Sequence, residues 1–170
     1  NPTGMIGPHD YAPSYFGSVL LSLGQGGMPA LVDSGFDWVD VRDVVSAALN
    51  AAEAAPAGAR YLLSGHWVSM RDLAILVEEI TGTQPPWFVC PMWLARAGAA
   101  VADALARRRG RRPVFTGAAI SALRSNRRIS HERAARDLGY RPRPIRQTLA
   151  DLYRWFEEVG SLKSRPAEGG

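Results

Sequence analysis

Five residues, Arg60-Tyr61-Leu62-Leu63-Ser64, constrain this chain more than any other stretch. The run is short, apolar and without alternation, so it reads as a strand buried on both faces. Such a strand belongs in a parallel sheet, with neighbours on either side and helices over both faces. The sequence offers few partners: the alternating run 36–41, the strand-like run 87–90 and a brief stretch at 127–130. Helical spacing is richer. Apolar residues recur every three or four positions over 14–23, 44–54, 69–81, 92–107, 131–138 and 145–159. Punctuation agrees with these spans. Ser14 and Asp43 stand where N-caps stand, Ser69 and Asp72 make a capping-box-like pair, Pro91 suits a first turn, and Gly82, Gly139 and Gly160 close helices. Helices and strands alternate, so the expected fold class is α/β: part of a parallel sheet plus a small, mostly helical lobe.

Composition limits function. The 170 residues are 46% apolar and 21% charged, which suits one globular domain. Cys90 is the lone cysteine, so no internal disulfide can form. Residues 1–10 contain no basic leader followed by an apolar run. The apolar stretch 92–106 is too short to span a bilayer and carries Arg96 and Asp103. No membrane span is expected, and a cytoplasmic location is. Arg107, Arg108, Arg109, Arg111 and Arg112 form the only dense charge run. Gly110 and Pro113 interrupt it and no aromatic residue is interleaved. It therefore reads as a solvated loop rather than a nucleic-acid site, with contact to an anionic substrate or lipid surface as the minor reading. His9, His66 and His131 are scattered, without partners at ligand spacing, so no metal is expected.

Four motifs in order resemble the extended short-chain dehydrogenase/reductase (NAD-dependent epimerase/dehydratase) family, in its dihydroflavonol-4-reductase-like branch. They are Asn1-Pro2-Thr3-Gly4-Met5-Ile6-Gly7-Pro8; Gly35-Phe36-Asp37-Trp38-Val39-Asp40-Val41-Arg42-Asp43-Val44; Tyr61-Leu62-Leu63-Ser64-Gly65 with Thr81-Gly82; and Leu138-Gly139-Tyr140-Arg141-Pro142 ahead of the Trp155 helix. The resemblance implies the end of a Rossmann sheet and a substrate lobe over residues 1–163, a flexible tail at 164–170, and a cofactor-binding half further upstream. It also implies NAD or NADP as cofactor, a small-molecule substrate and compatibility with a homodimer.

The family's reactive groups are a Gly-rich phosphate turn and a Tyr-x-x-x-Lys pair, in which the lysine cation lowers the tyrosine pKa for proton transfer. Four residues after Tyr11, Tyr15, Tyr61, Tyr140 and Tyr153 stand Tyr15, Val19, Gly65, Pro144 and Glu157; the single lysine, Lys163, follows Val159 by four. Gly24, Gly27 and Ala30 fit a loose glycine pattern, but a helix precedes them and Pro29 falls within. No residue of this chain is therefore assigned a catalytic role, and the chain alone is expected to be inactive.

By the same resemblance Pro2, Thr3, Gly4 and Met5 are the expected cofactor contacts, backing the nicotinamide. His9, Tyr11, Ser14, Tyr15, Phe36 and Trp38 are the expected substrate contacts. All but His9 have a plainer alternative: a strand-end turn for the first group, an N-cap for Ser14, aromatic packing for Tyr11 with Tyr15, and core for Phe36 and Trp38. Asp40 and Asp43 invite an acid/base role, but an aspartate ahead of a helix more simply satisfies its free N–H groups. The expected activity is an NAD(P)-dependent oxidoreductase acting on a carbonyl or hydroxyl. The alternatives are a nucleotide-sugar epimerase/dehydratase, or a non-catalytic ligand-sensing or protein-interaction module of the same fold.

Overall fold

A computed structural model describes residues 1–91, 93–94 and 127–162. Most of the expected 92–107 helix, the 107–112 arginine run and the tail from 163 lie outside the described residues. Among the described residues the elements run β1 (Gly4–Ile6), α1 (Tyr15–Gly24), β2 (Leu31–Val32), β3 (Gly35–Asp40), α2 (Val41–Ala54), β4 (His66–Ser69), α3 (Met70–Thr81), β5 (Val89–Cys90), α4 (Glu132–Leu138) and α5 (Ile145–Glu158).

The main sheet has the order β1-β3-β4. β1 lies parallel to β3, with Gly4 opposite Trp38 and Ile6 opposite Asp40. β4 lies antiparallel to β3, with His66 opposite Trp38 and Ser69 opposite Gly35. The small pair β2–β5 is parallel and separate. Side chains alternate along β3 as a pleated strand requires. Phe36 and Trp38 enter one core with Leu20 and Leu23 of α1, Leu73 and Val77 of α3, and Leu149, Leu152 and Phe156 of α5. Val39 enters a second core on the other face, with Ala47 of α2, Leu138 of α4, Tyr61, Leu63 and Tyr140. Helices cover both faces, giving the α/β arrangement expected.

Three local expectations need correction. The run 60–64 is parallel as expected but shrinks to one bridge, Leu63 opposite Pro2; Leu63 donates to the Asn1 carbonyl (3.0 Å) and accepts from Thr3 N–H (3.2 Å). It is buried on one face only, since Tyr61 and Leu63 point inward while Leu62 is 49% exposed. The strand that continues the sheet is β4, after a bend at Gly65. A Cβ at Gly65 would collide with the Trp38 carbonyl, so only glycine lets the two backbones meet this closely. Second, α2 begins at Val41, earlier than expected, because Asp40 rather than Asp43 caps it through Arg42 N–H (2.8 Å). Third, residues 127–130 form no strand, and the Ile129 carbonyl instead accepts the Ser64 hydroxyl (2.8 Å). The capping expectations at Ser14, Ser69 and Gly82 hold: Ser14 Oγ accepts from Gly17 N–H, Ser69 Oγ from Asp72 N–H, and Gly82 adopts the left-handed φ of 70°.

Candidate functional site

Residues 1–15 form a loop fixed at both ends. At its start Asn1 and Thr3 pair with Leu63, and β1 then joins β3. At its finish the Asp10 carboxylate accepts from both the amide (2.9 Å) and the hydroxyl (2.8 Å) of Ser14, which in turn caps α1. Gly17 makes room for this, because a Cβ there would overlap Asp10 Oδ2. Between these anchors the chain makes two unusual turns. Gly7 has φ 150°, with Val41 so close that a Cβ would sit 2.8 Å from its Cγ1. His9 is the only non-glycine with positive φ among the described residues, at 71°. A strained backbone held by its surroundings is a common property of binding loops.

The loop and the start of α2 line a half-open cavity of about 240 Å³, bordered chiefly by Met5, Ile6, Pro8, His9, Asp10 and Val41. Its lining is mostly apolar, and its one charged side chain, Asp10, is already engaged by Ser14. Exposed Tyr11 lies edge-on to Trp155 of α5 at 5.4 Å between ring centroids, and the His9 ring stands 6.1 Å from the same indole. Tyr15, also exposed, sits at the start of α1 against Phe16, and partial burial raises its phenol pKa above the usual value. Of the expected substrate contacts His9 and Ser14 line the cavity, while Tyr11 packs on Trp155 and Tyr15 on Phe16, both outside its lining. The structure places Phe36 and Trp38 one layer below: Phe16 stacks edge-on against both at 5.1 and 5.0 Å, and Trp38 is 1% exposed. Trp38 also donates its indole N–H to the Val68 carbonyl (3.4 Å).

The residues expected to back a nicotinamide divide by their hydrogen bonds. Pro2 is exposed, brings no N–H and borders a separate groove with Val44, Tyr61 and Leu138, whereas Met5 is exposed at the edge of the loop cavity. Gly4 serves the packing of β1 on β3, since a Cβ there would press on the Asp37 carbonyl at 3.1 Å. Thr3 has its donors committed inward, its amide to Leu63 and its hydroxyl to Asp37 Oδ1 (2.7 Å). Asp37, 5% exposed, also accepts from Gly65 N–H (2.7 Å) and so ties the loop to the β3–β4 junction.

Asp40 and Asp43 belong to an ion cluster rather than to the cavity. Asp40 accepts from Arg42 Nε (2.9 Å) and Nη2 (2.7 Å), and Arg42 bridges to Asp151 of α5 (2.8 Å). Asp43 accepts from the Arg143 amide (2.8 Å), Nε (2.9 Å) and Nη2 (2.7 Å). Burial pushes the Asp40 pKa up, but hydrogen bonds from Arg42 and Thr148 and the Arg42 charge outweigh it, leaving the carboxyl below its ordinary value. A carboxylate held ionised and fully ligated by cations is a poor proton carrier. This cluster clamps α2 to the chain before and within α5.

Sequence reasoning passed over four residues that build this region: Asp10, Asp37, Arg143 and Trp155. Asp10 had a readable signal, standing four residues before a capping serine. The others act across 28 residues or more of sequence, where local spacing carries no information.

Comparison with known proteins places this geometry. No family model matches the chain. Sterol demethylase protein B of Methylococcus capsulatus is 35% identical over 95% of the chain. A Synechocystis protein bearing the name dihydroflavonol 4-reductase is 30% identical over 97%. Among solved structures, a nucleoside-diphosphate-sugar epimerase from Pseudomonas aeruginosa superposes with TM-score 0.75 at 25% identity, over 95% of the chain and 48% of that protein. The chain spans about half the length of the curated relatives it matches, 50% and 49% respectively. With the motifs of the loop, of β3–α2 and of the α4–α5 turn all in place, the chain belongs to the NAD-dependent epimerase/dehydratase family of extended short-chain dehydrogenases/reductases.

Proposed function

We propose that this chain is the C-terminal, substrate-binding part of an NAD(P)-dependent oxidoreductase acting on a carbonyl or hydroxyl of a small apolar molecule. The observation that carries this reading is the cavity over β1. It has an apolar lining, no cationic side chain among its lining residues, and a carboxylate at its edge. A nucleoside diphosphate wants arginine or lysine on its phosphates, and Asp10 would repel it. A sterol-like or flavonoid-like skeleton wants apolar walls with a few placed polar groups. The names of the two relatives, a sterol demethylase protein and a dihydroflavonol 4-reductase, agree with that class. The choice of NAD or NADP as cofactor rests on the family resemblance and on neighbours of the same fold solved with NADPH or NAD.

In this reading the nicotinamide, when bound, supplies or accepts the hydride. Pro2, Gly4 and Met5 would back its ring, and Thr3 holds their backbone through Leu63 and Asp37. His9, Tyr11 and Tyr15 wall the substrate, Ser14 holds the loop through Asp10, and Phe36 and Trp38 support Phe16 from below. The proton-transfer pair and the pyrophosphate turn lie in the other half of the longer protein. The 170 residues alone are therefore expected to show neither turnover nor tight dinucleotide binding by calorimetry.

A second reading, nucleotide-sugar epimerase or dehydratase, is favoured by the epimerase superposition. The test uses the full-length protein with NADH and NADPH, a panel of polycyclic ketones, and UDP- and GDP-sugars. Reduction of a polycyclic ketone followed at the dihydronicotinamide absorbance is expected. Conversion of nucleotide sugars with no ketone reduction would replace the first reading by the second, and absence of any turnover would favour a non-catalytic binding module.

A further inference from the structure

The described surface carries an aromatic patch that the loop cavity does not use. Trp87 is 92% exposed and Trp93 72%, with Phe88 and Leu94 about 40% exposed beside them in sequence. The rings of Trp87 and Phe88 lie 5.7 Å apart, and a turn closed by Leu94 N–H on the Pro91 carbonyl (3.0 Å) starts the segment bearing Trp93. Trp87 borders a groove of about 210 Å³ with Pro85, Pro86 and, one helical turn apart on α3, Arg71 and Ile75. Arg71 makes no ion pair among the described residues. Single exposed apolar residues are ordinary on a protein surface, but two tryptophans, a phenylalanine and a leucine within eight residues, all of them exposed, are not.

Charge indicates what covers them. The segment 91–128, which continues directly from the patch, contains nine arginines and one acidic residue, Asp103. The rest of the chain contains eleven basic and fifteen acidic residues, so the net positive charge of the sequence is concentrated in the stretch that follows Trp87 and Phe88, and Arg71 adds a cation at the groove itself. Tryptophan prefers the boundary between headgroups and acyl chains, where its ring is buried and its N–H stays hydrated. Arginine beside it meets the lipid phosphates. Aromatic anchors with adjoining cationic charge make a surface that rests on a membrane without crossing it. No helix among the described residues is long and apolar enough to cross one.

We propose that Trp87, Phe88, Trp93 and Leu94, with Arg71 beside them, dock this protein onto an anionic lipid bilayer surface. The inference is independent of the reaction assigned above, although it suits an enzyme whose apolar substrate partitions into lipid.

The test is flotation of the full-length protein with vesicles of phosphatidylcholine alone and of phosphatidylcholine with phosphatidylglycerol, together with tryptophan quenching by brominated acyl chains. Flotation with the anionic vesicles is expected, with quenching, and with release as salt is raised. The double substitution Trp87→Glu with Trp93→Glu should reduce the bound fraction roughly tenfold without changing the thermal melt, because both side chains are exposed. Absence of flotation, equal flotation with neutral and anionic vesicles, or unchanged binding and quenching in the double variant would each overturn the proposal. A dimer in solution that the double variant dissociates would also overturn it, by assigning the patch to a second copy of the chain. Quenching in the unaltered protein decides the matter even where the variant folds poorly.

Discussion

Replacing Arg143 by alanine isolates the Asp43 clamp, and the structure sets the size of the effect. Arg143 closes a contact across 100 residues of chain through two side-chain hydrogen bonds and one from its own amide to Asp43. Its Nε also stands 3.6 Å from Asp40 Oδ2. The Asp43 side chain is 9% exposed and that of Asp40 0%, whereas the guanidinium is 25% exposed. Stripping the partner from a fully buried carboxylate costs about 3–5 kcal/mol. Here the backbone N–H remains, Arg42 still serves Asp40, and water reaches the guanidinium, so Arg143→Ala should cost about 2–3 kcal/mol. The converse change, Asp43→Ala, should cost less, because the freed guanidinium reaches solvent and keeps Asp40 nearby. Urea denaturation of the full-length protein, read by tryptophan fluorescence, measures both, and the double variant completes a cycle with a coupling of roughly 1–2 kcal/mol. A loss below about 0.5 kcal/mol for Arg143→Ala, or additive single losses, would refute the claim that this pair locks α2 to the start of α5.

Three further outcomes follow from the same geometry. Gly65→Ala should abolish soluble expression, since the added Cβ meets the backbone carbonyl of Trp38 rather than a side chain that can move aside; a soluble variant with an unchanged melt would show that the β3–β4 junction yields. Trp38→Ala should cost roughly 3–5 kcal/mol with kcat/KM per folded molecule unchanged, whereas Tyr15→Ala should leave the melt nearly unmoved and raise KM; steady-state kinetics beside thermal melts reads both. Asp40 has a lowered folded pKa, so its contribution to stability is complete above the unfolded value of about 3.9 and is lost as pH falls through the folded one. The stability gap between the unaltered protein and Asp40→Asn should therefore be widest above about pH 5 and narrow as acid is added, and a gap independent of pH would contradict the ionised-cluster assignment.

What the sequence disclosed depended on how far each interaction reaches along the chain. Helices α1 and α3 were legible because their determinants lie within one turn: Ser14 over Gly17, Ser69 over Asp72, and a left-handed glycine at Gly82. The α2 boundary was misplaced because Asp40 and Asp43 both look like caps locally. Only the position of Arg143, far along the chain, decides that Asp43 is committed elsewhere. The 60–64 run misled for a related reason. Its apolar content signals burial, but the exposure of Leu62 depends on which strands lie beside it, and that is a property of the sheet.

The site was legible in outline for a reason that also explains which expectations the geometry narrows. A resemblance places a segment in space without saying which of its atoms are free. The loop 1–15 comes out as one contiguous surface, yet two of its expected polar contacts, the hydroxyls of Thr3 and Ser14, are already held by Asp37 and Asp10. Those two carboxylates stabilise the loop at both ends and leave the cavity between them largely apolar. Of the two carboxylates only Asp10 reaches the cavity, and its hydrogen bonds from the Ser14 amide and hydroxyl fix where that charge stands, while Asp37 is buried behind Thr3 and Gly65. Internal satisfaction of the loop's own polar groups is thus what the proposed apolar substrate rests on, and the positive φ of His9 lies between the two anchors that hold the loop.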